Sequence, residues 1–258
     1  MMILLVCLLV AQPAPARRRA AERSIVPAGH VVFVGAHPDD EVVAAPLLAS
    51  LCLESGGTCS FLVLTRGEGG ICALPACTPD LGTVREREMQ ASAAIFRGTV
   101  VQWDLPDVLD GVGSAWSESA GGREALLQRI SEAIVAEHPD AVLTFSPQHG
   151  TTCHPAHRET AALVIEALAR LGPGAPPVYL LETTVSLEDG RYRFGAGADP
   201  AAVFDAAAHW SYLVEVAAAH QSQFTAAQLG TFRDTLPDER KVWIVRSPAA
   251  GRPLIHCP

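Results

Sequence analysis

Two short stretches of this 258-residue chain concentrate side chains able to hold a cation and move a proton. The first, Ala36-His37-Pro38-Asp39-Asp40-Glu41, puts one imidazole beside three carboxylates. Three adjacent acids repel one another unless a cation or hydrogen bonds offset their charge. The second, His154-Pro155-Ala156-His157, carries two imidazoles at a spacing that lets both reach one site from a helix start. Together His37, Asp40 and His157 offer two nitrogens and a carboxylate oxygen. Three protein ligands plus an open water position is the pattern of a catalytic zinc centre. A mixed nitrogen and oxygen set without thiolate also admits other divalent metals. The same residues have an ordinary reading, in which Asp39 caps a helix and Asp40 and Glu41 serve its dipole. His30, His138, His209 and His256 are read as surface or core residues.

The elements that must position these residues alternate between short β-type runs and longer helical stretches. Residues 31–34 form a β-branched strand, and a helical segment runs from the acidic triplet to about residue 53. A second strand (60–65) leads through a Gly- and Cys-rich loop to a helix over 83–96. A third strand (99–103), a long loop (104–122) and a helix (123–137) follow. A fourth strand (141–145) enters an irregular loop (146–155) and then a helix (156–171). Residues 178–181 and 242–245 read as late strands around a less regular region. Uninterrupted apolar strands alternating with helices predict a single α/β domain: a Rossmann-like, mainly parallel sheet with helices on both faces. In such sheets the crevice lies beyond the carboxyl ends of the strands, where both motifs fall.

Composition narrows the classes further. With 49% hydrophobic residues the chain can bury one sizeable core, and a net charge of -9 argues against nucleic-acid binding. Residues 2–11 form an apolar run too short to span a bilayer, followed by Gln12-Pro13-Ala14-Pro15-Ala16. Residues 1–20 are therefore read as a signal peptide or targeting segment before a domain over 28–258, with a secreted or periplasmic location. No basic residue precedes the run and Arg17 to Arg19 follow it, a pattern that opposes export. A cytoplasmic protein with a mis-assigned start, or a reversed anchor, is the alternative. Six cysteines remain after Cys7, an even number that suits an oxidised framework. Cys52 with Cys59 and Cys72 with Cys77 are the close pairs, leaving Cys153 for Cys257; six free thiols are the alternative.

The first motif after a strand, followed by the histidine pair, resembles the PIG-L/LmbE-like family of zinc de-N-acetylases. Thr65-Arg66-Gly67-Glu68, Arg85-Glu86-Arg87-Glu88 and Ala219-His220-Gln221-Ser222-Gln223 add to the resemblance, which spans roughly residues 30 to 225. It implies a hydrolase that removes acetyl from an N-acetylated amino sugar, small molecule or oligosaccharide. It implies His37, Asp40 and His157 as zinc ligands, Asp39 as general base, and His154 as the histidine that stabilises or protonates the reacting group. Arg85 falls at a sugar-contacting position; an exposed helix arginine paired with Glu88 is the competing reading. Glu41 and Glu68 are candidates for orienting the ligands, or for caps and loop supports, and His220 is given a structural role. One departure stands out: the family commonly has an acid where this chain has Ala156, and Asp107 and Asp110 are candidates to replace it. That departure keeps open a catalytically weak or inactive carbohydrate-binding protein on the same fold. A dinucleotide-binding oxidoreductase and a serine hydrolase are set aside, because neither G-x-G-x-x-G nor G-x-S-x-G occurs at the required turn.

Overall fold

The computed structural model describes residues 25–197 and 202–247. The chain lays down β1 (His30–Gly35), α1 (Ala45–Ala49), β2 (Thr58–Thr65), α2 (Leu81–Ile95), β3 (Thr99–Leu105), α3 (Val112–Ser119), α4 (Arg123–Ala136) and β4 (Ala141–Phe145). There follow α5 (Gly150–Cys153), α6 (Pro155–Ala169), β5 (Val178–Leu181), β6 (Thr183–Glu188), β7 (Arg191–Ala196), β8 (Ala202–Asp205), α7 (Trp210–Ala219), α8 (Ala226–Arg233) and β9 (Lys241–Arg246). Seven strands make one sheet in the order β3-β2-β1-β4-β5-β9-β8, and β6 pairs with β7 separately. The first five are parallel, whereas β9 is antiparallel to both β5 and β8. From β1 the chain steps outward through β2 to β3, then returns to place β4 on the other side. This reversal between β1 and β4 is the switch point at which a crevice opens.

Alternation along each strand feeds two apolar layers. Val31 and Phe33 of β1 pack with Phe61, Leu143 and the faces of α1, α2 and α7. Val32 and Val34 pack on the opposite side with Leu62, Val142 and the faces of α3, α4 and α6. The sheet is thus mainly parallel and covered on both faces, as the alternation of elements predicts.

Three expectations need correction. The segment after the acidic triplet is not one helix: a single turn over Asp40–Val42 precedes α1, and a widened turn over Ser50–Glu54 follows it. Pro46 sits in the first turn of α1, and lacking an N–H it cannot carry a continuous ladder back to the acidic turn. The long loop over 104–122 contains α3, whose Val112 and fully buried Trp116 are one helical turn apart. Its Gly- and Ser-rich flanks hide that two-residue apolar stripe. The described residues between the late strands include regular elements: β6 and β7 form a hairpin around Asp189-Gly190, both at positive φ, the dipeptide that favours a two-residue turn.

Disulfides join Cys52 to Cys59 and Cys72 to Cys77, as the close spacings predict. Cys153 is also disulfide-bonded; its expected partner, Cys257, and the expected signal segment lie outside the described residues. Among the described residues no helix is long and apolar enough to cross a membrane.

Candidate active site

Asp40 closes the turn after β1. Its Oδ2 accepts the backbone N–H groups of Ala36 (2.6 Å) and His37 (2.9 Å). The other oxygen, Oδ1, lies 2.9 Å from His157 Nε2 and 3.7 Å from His37 Nδ1. His157 stands in the first turn of α6, where Pro155 is favoured because its missing N–H would be unsatisfied anyway. Its Nδ1 lies 2.9 Å from the carbonyl of Gly150, which turns Nε2 toward Asp40, and its ring stacks on Phe145 at 4.4 Å. Gly150 has φ +51°, and a Cβ there would stand 2.8 Å from His157 Cβ, so a side chain would displace the imidazole.

His154 caps α6, its Nδ1 accepting the Ala156 N–H at 3.3 Å. A neutral ring held this way carries its hydrogen on Nε2. The His154 ring centroid is 4.8 Å from those of both His37 and His157. Each of the three histidines offers a ring nitrogen within 4.8 Å of the others. Three imidazoles and the Asp40 carboxylate gathered this closely, with no thiolate, are a donor set that fits zinc or another divalent metal.

Asp39 stands apart from that cluster. Its backbone adopts φ 103°, a conformation non-glycine residues rarely hold and that surrounding structure must enforce. Arg85 enforces it: Nη2 donates to Asp39 Oδ1 at 2.9 Å and to the Pro38 carbonyl, and Nη1 donates to the Gly67 carbonyl at 3.0 Å. Arg85 is 4% exposed, so it is neither an exposed helix arginine nor a partner of Glu88. Glu88 instead holds Ser222 through its N–H and hydroxyl, at 2.7 and 2.6 Å. Glu41 accepts the Asp39 N–H (3.2 Å) and pairs at 2.6 Å with the fully buried His220 Nε2.

The carboxylate proposed to replace the missing acid serves another histidine. Asp107 Oδ1 lies 3.0 Å from His37 Nε2, while its Oδ2 accepts the Gly69 N–H and its own N–H donates to Glu68. Asp110 is exposed. Ala156 is 1% exposed and belongs to the apolar layer that includes Val112 and Trp116.

Proton affinities separate the groups. Burial lowers the His37 pKa, but hydrogen bonds and charge from Asp107 and Asp40 more than reverse this and push it up to about 10. A cation bound by His37 would have to displace that proton. His154 is pushed down to about 4, by burial first and then by the charges of His157 and His37. Asp40 falls well below the ordinary carboxylate range: burial opposes ionisation, but His157 and His37 outweigh it. Asp39 is raised by burial, opposed by Arg85 and assisted by Asp40.

These groups line a cavity of about 510 Å³, which also reaches Asp107, Arg85 and several apolar side chains. The class follows from fold and site together: an α/β protein with a metal-competent histidine and carboxylate cluster at its switch point. The chain belongs to the PIG-L family, described as GlcNAc-PI de-N-acetylase, whose profile matches residues 32–168. Among solved structures it is similar to N,N'-diacetylchitobiose deacetylase from Pyrococcus horikoshii (TM-score 0.65, 18% identity, 88% of this chain and 87% of that one). It is also similar to GalB, the 4-carboxy-2-hydroxymuconate hydratase of Pseudomonas putida KT2440 (TM-score 0.64, 19% identity, 88% and 99%). A third is the A40926 pseudoaglycone deacetylase Dbv21 (TM-score 0.59, 17% identity, 88% and 100%). No curated protein matches the chain. At these identities the likeness is one of fold, and a hydratase among the neighbours shows that the fold alone does not choose the reaction.

Proposed function

We propose that the protein is a zinc-dependent hydrolase that removes the acetyl group from an N-acetylated amino sugar. His37, Asp40 and His157 would hold the metal. One observation carries this reading: three imidazoles and Asp40 converge at the switch point, beside a carboxylate, Asp39, that a separate arginine holds. Bound there, the metal would polarise the acyl carbonyl and acidify a water molecule. Asp39 then serves as general base, taking the proton of the attacking water. Its raised proton affinity suits it to keep that proton and hand it to the departing amine nitrogen. Arg85 fixes the carboxylate for both transfers and acts as a positioning residue. His154, held neutral, directs its Nε2–H at the oxygen on which negative charge develops. Whether the positive charge beside it resides in protonated histidines or in a cation, that charge disfavours a second proton on His154. The disulfides suit an oxidising compartment, which supports a secreted or periplasmic location.

A second reading, a carbohydrate-binding protein without turnover, is favoured by Ala156, since among the described residues no carboxylate hydrogen-bonds His154. Metal content and acetate release from N-acetylglucosamine and its conjugates decide between them. The proposal expects about one zinc per chain and acetate release that a chelator abolishes and zinc restores. Metal and sugar binding without acetate release would support the second reading, and absence of metal would overturn the first.

A further inference from the structure

Besides the histidines and Asp39, the cavity is lined by Ile71, Leu109, Val185, Tyr192, Phe194 and Phe224, which form an apolar wall. These come from distant parts of the chain: the loop between β2 and α2, the loop after β3, the β6–β7 hairpin, and the segment between α7 and α8. The rings are fixed by packing, with Tyr192 stacked on Phe232 at 4.4 Å and Phe224 at 5.6 Å from the same ring. Ile71 and Leu109, at the lip, are 86% and 66% exposed. A lone exposed aliphatic side chain is ordinary, but two at the mouth of one cavity, continuous with an apolar wall, form a surface suited to an apolar ligand. The loop bearing Ile71 is also held in place. The Cys72–Cys77 bridge closes it, Gln223 Nε2 donates to the Ile71 carbonyl at 3.2 Å, and the Ala73 N–H donates to the Ser222 carbonyl at 2.7 Å.

Among the polar side chains lining the cavity, Arg85 and Asp107 are held by internal hydrogen bonds, while Arg85 Nε and the Thr151 hydroxyl have no partner among the described residues. Arg85 bonds Asp39, Pro38 and Gly67, and Asp107 bonds His37 and Gly69. A second sugar ring would bring several hydroxyls to this wall, each losing about 1–3 kcal/mol if left unpaired. We propose that the amino sugar accepted here carries an alkyl or aryl group, as aglycone or as the acyl chain itself, and that this group packs on the wall of hairpin and stapled loop. The inference rests on the deacetylase reading for its sugar and its chemistry.

The test compares kcat/KM for amine release from four compounds, using the zinc-supplied full chain. They are N-acetylglucosamine, N,N'-diacetylchitobiose, octyl N-acetyl-β-glucosaminide and N-octanoylglucosamine. The expectation is that one octyl compound exceeds both unsubstituted sugars by about tenfold or more. Which one does so places the apolar group on the aglycone or on the acyl side. In the double variant Ile71→Ser/Leu109→Ser, whose sites are exposed and outside the core, that ratio should fall at least about threefold. Chitobiose preferred to both octyl compounds, or an octyl preference untouched by the double substitution, would overturn the proposal. If no compound yields amine, the deacetylase reading has failed instead, and binding of octyl glucoside then judges the wall. Saturable binding lost in the double variant supports it; no binding overturns it.

Discussion

The half of the molecule from β1 to α6 and the half that follows β5 meet at one cavity, but they contribute different things to it. The first half supplies every group with a place in the proposed chemistry: His37, Asp39, Asp40, Arg85, Asp107, His154 and His157. Most sit on turns that follow the parallel strands, with Arg85 and His157 on helices, and each makes a hydrogen bond of 3.3 Å or less. The second half supplies Val185, Tyr192, Phe194 and Phe224, side chains that line space without reacting. It also supplies His220 and Ser222, which anchor Glu41 and Glu88 from behind. Ile71 and Leu109 of the first half complete that wall, so the reacting groups lie on one half and the wall is shared by both.

Substitutions can break or sharpen that contrast. The largest effect is expected at His157→Ala, which removes a proposed ligand and leaves Asp40 Oδ1 without its contact at 2.9 Å. Metal should then be lost on dialysis against a weak chelator that wild type survives, and unchanged metal content would remove His157 from the ligand set. A smaller effect is expected at Asp107→Asn. On the proposed ligand set Asp107 would act on the metal only through His37, and removing such outer contacts typically costs about 10–100-fold in metal affinity or activity. An Asp107→Asn protein with unaltered zinc affinity and turnover would show that the 3.0 Å contact orients nothing.

The smallest effect concerns the second half and is read as stability. Burial lowers the His220 pKa, but Glu41, with Asp39 and Glu88, raises it above its ordinary 6.5. Its stabilisation is therefore complete below pH 6.5 and lost as pH rises through the folded value. Burial raises the Glu41 carboxyl, but His220 and Ser92 bring it below its ordinary 4.5, so its share is present above pH 4.5 and lost on acidification through the folded value. The pair contributes fully between those limits. Urea unfolding across pH should show His220→Gln costing most between pH 4.5 and 6.5, with the cost shrinking on the alkaline side. A cost independent of pH would mean that the pair is a neutral hydrogen bond.

The same division explains what the sequence discloses. Strands β1, β2, β4 and β5 are legible because buried parallel strands are near-continuous apolar runs, and the helices between them carry helical periodicity. The site histidines and acids are legible because they are grouped in two contiguous motifs, each following an apolar strand. What stays hidden depends on tertiary placement. Asp107 lies 70 residues from His37, so only the fold reveals which histidine it serves. Arg85 presents the pattern of an exposed helix residue until Gly67, Pro38 and Asp39 close over it. Helix α3 is concealed by a glycine-rich context, and the apolar wall is scattered over four segments with no local signature. The β6–β7 hairpin did leave a signal in Asp189-Gly190, flanked by alternating residues.

The central claim is that Asp39 moves the proton and stays outside the metal set. It is tested most directly by measuring zinc content and turnover on the same sample of Asp39→Asn. Asparagine keeps the shape and can still meet Arg85, but it cannot take a proton from water. The account predicts zinc content equal to wild type, with acetate release reduced by about 10²–10⁴-fold, the usual contribution of a general base. Wild-type turnover in the zinc-loaded variant, or loss of the metal itself, would contradict it.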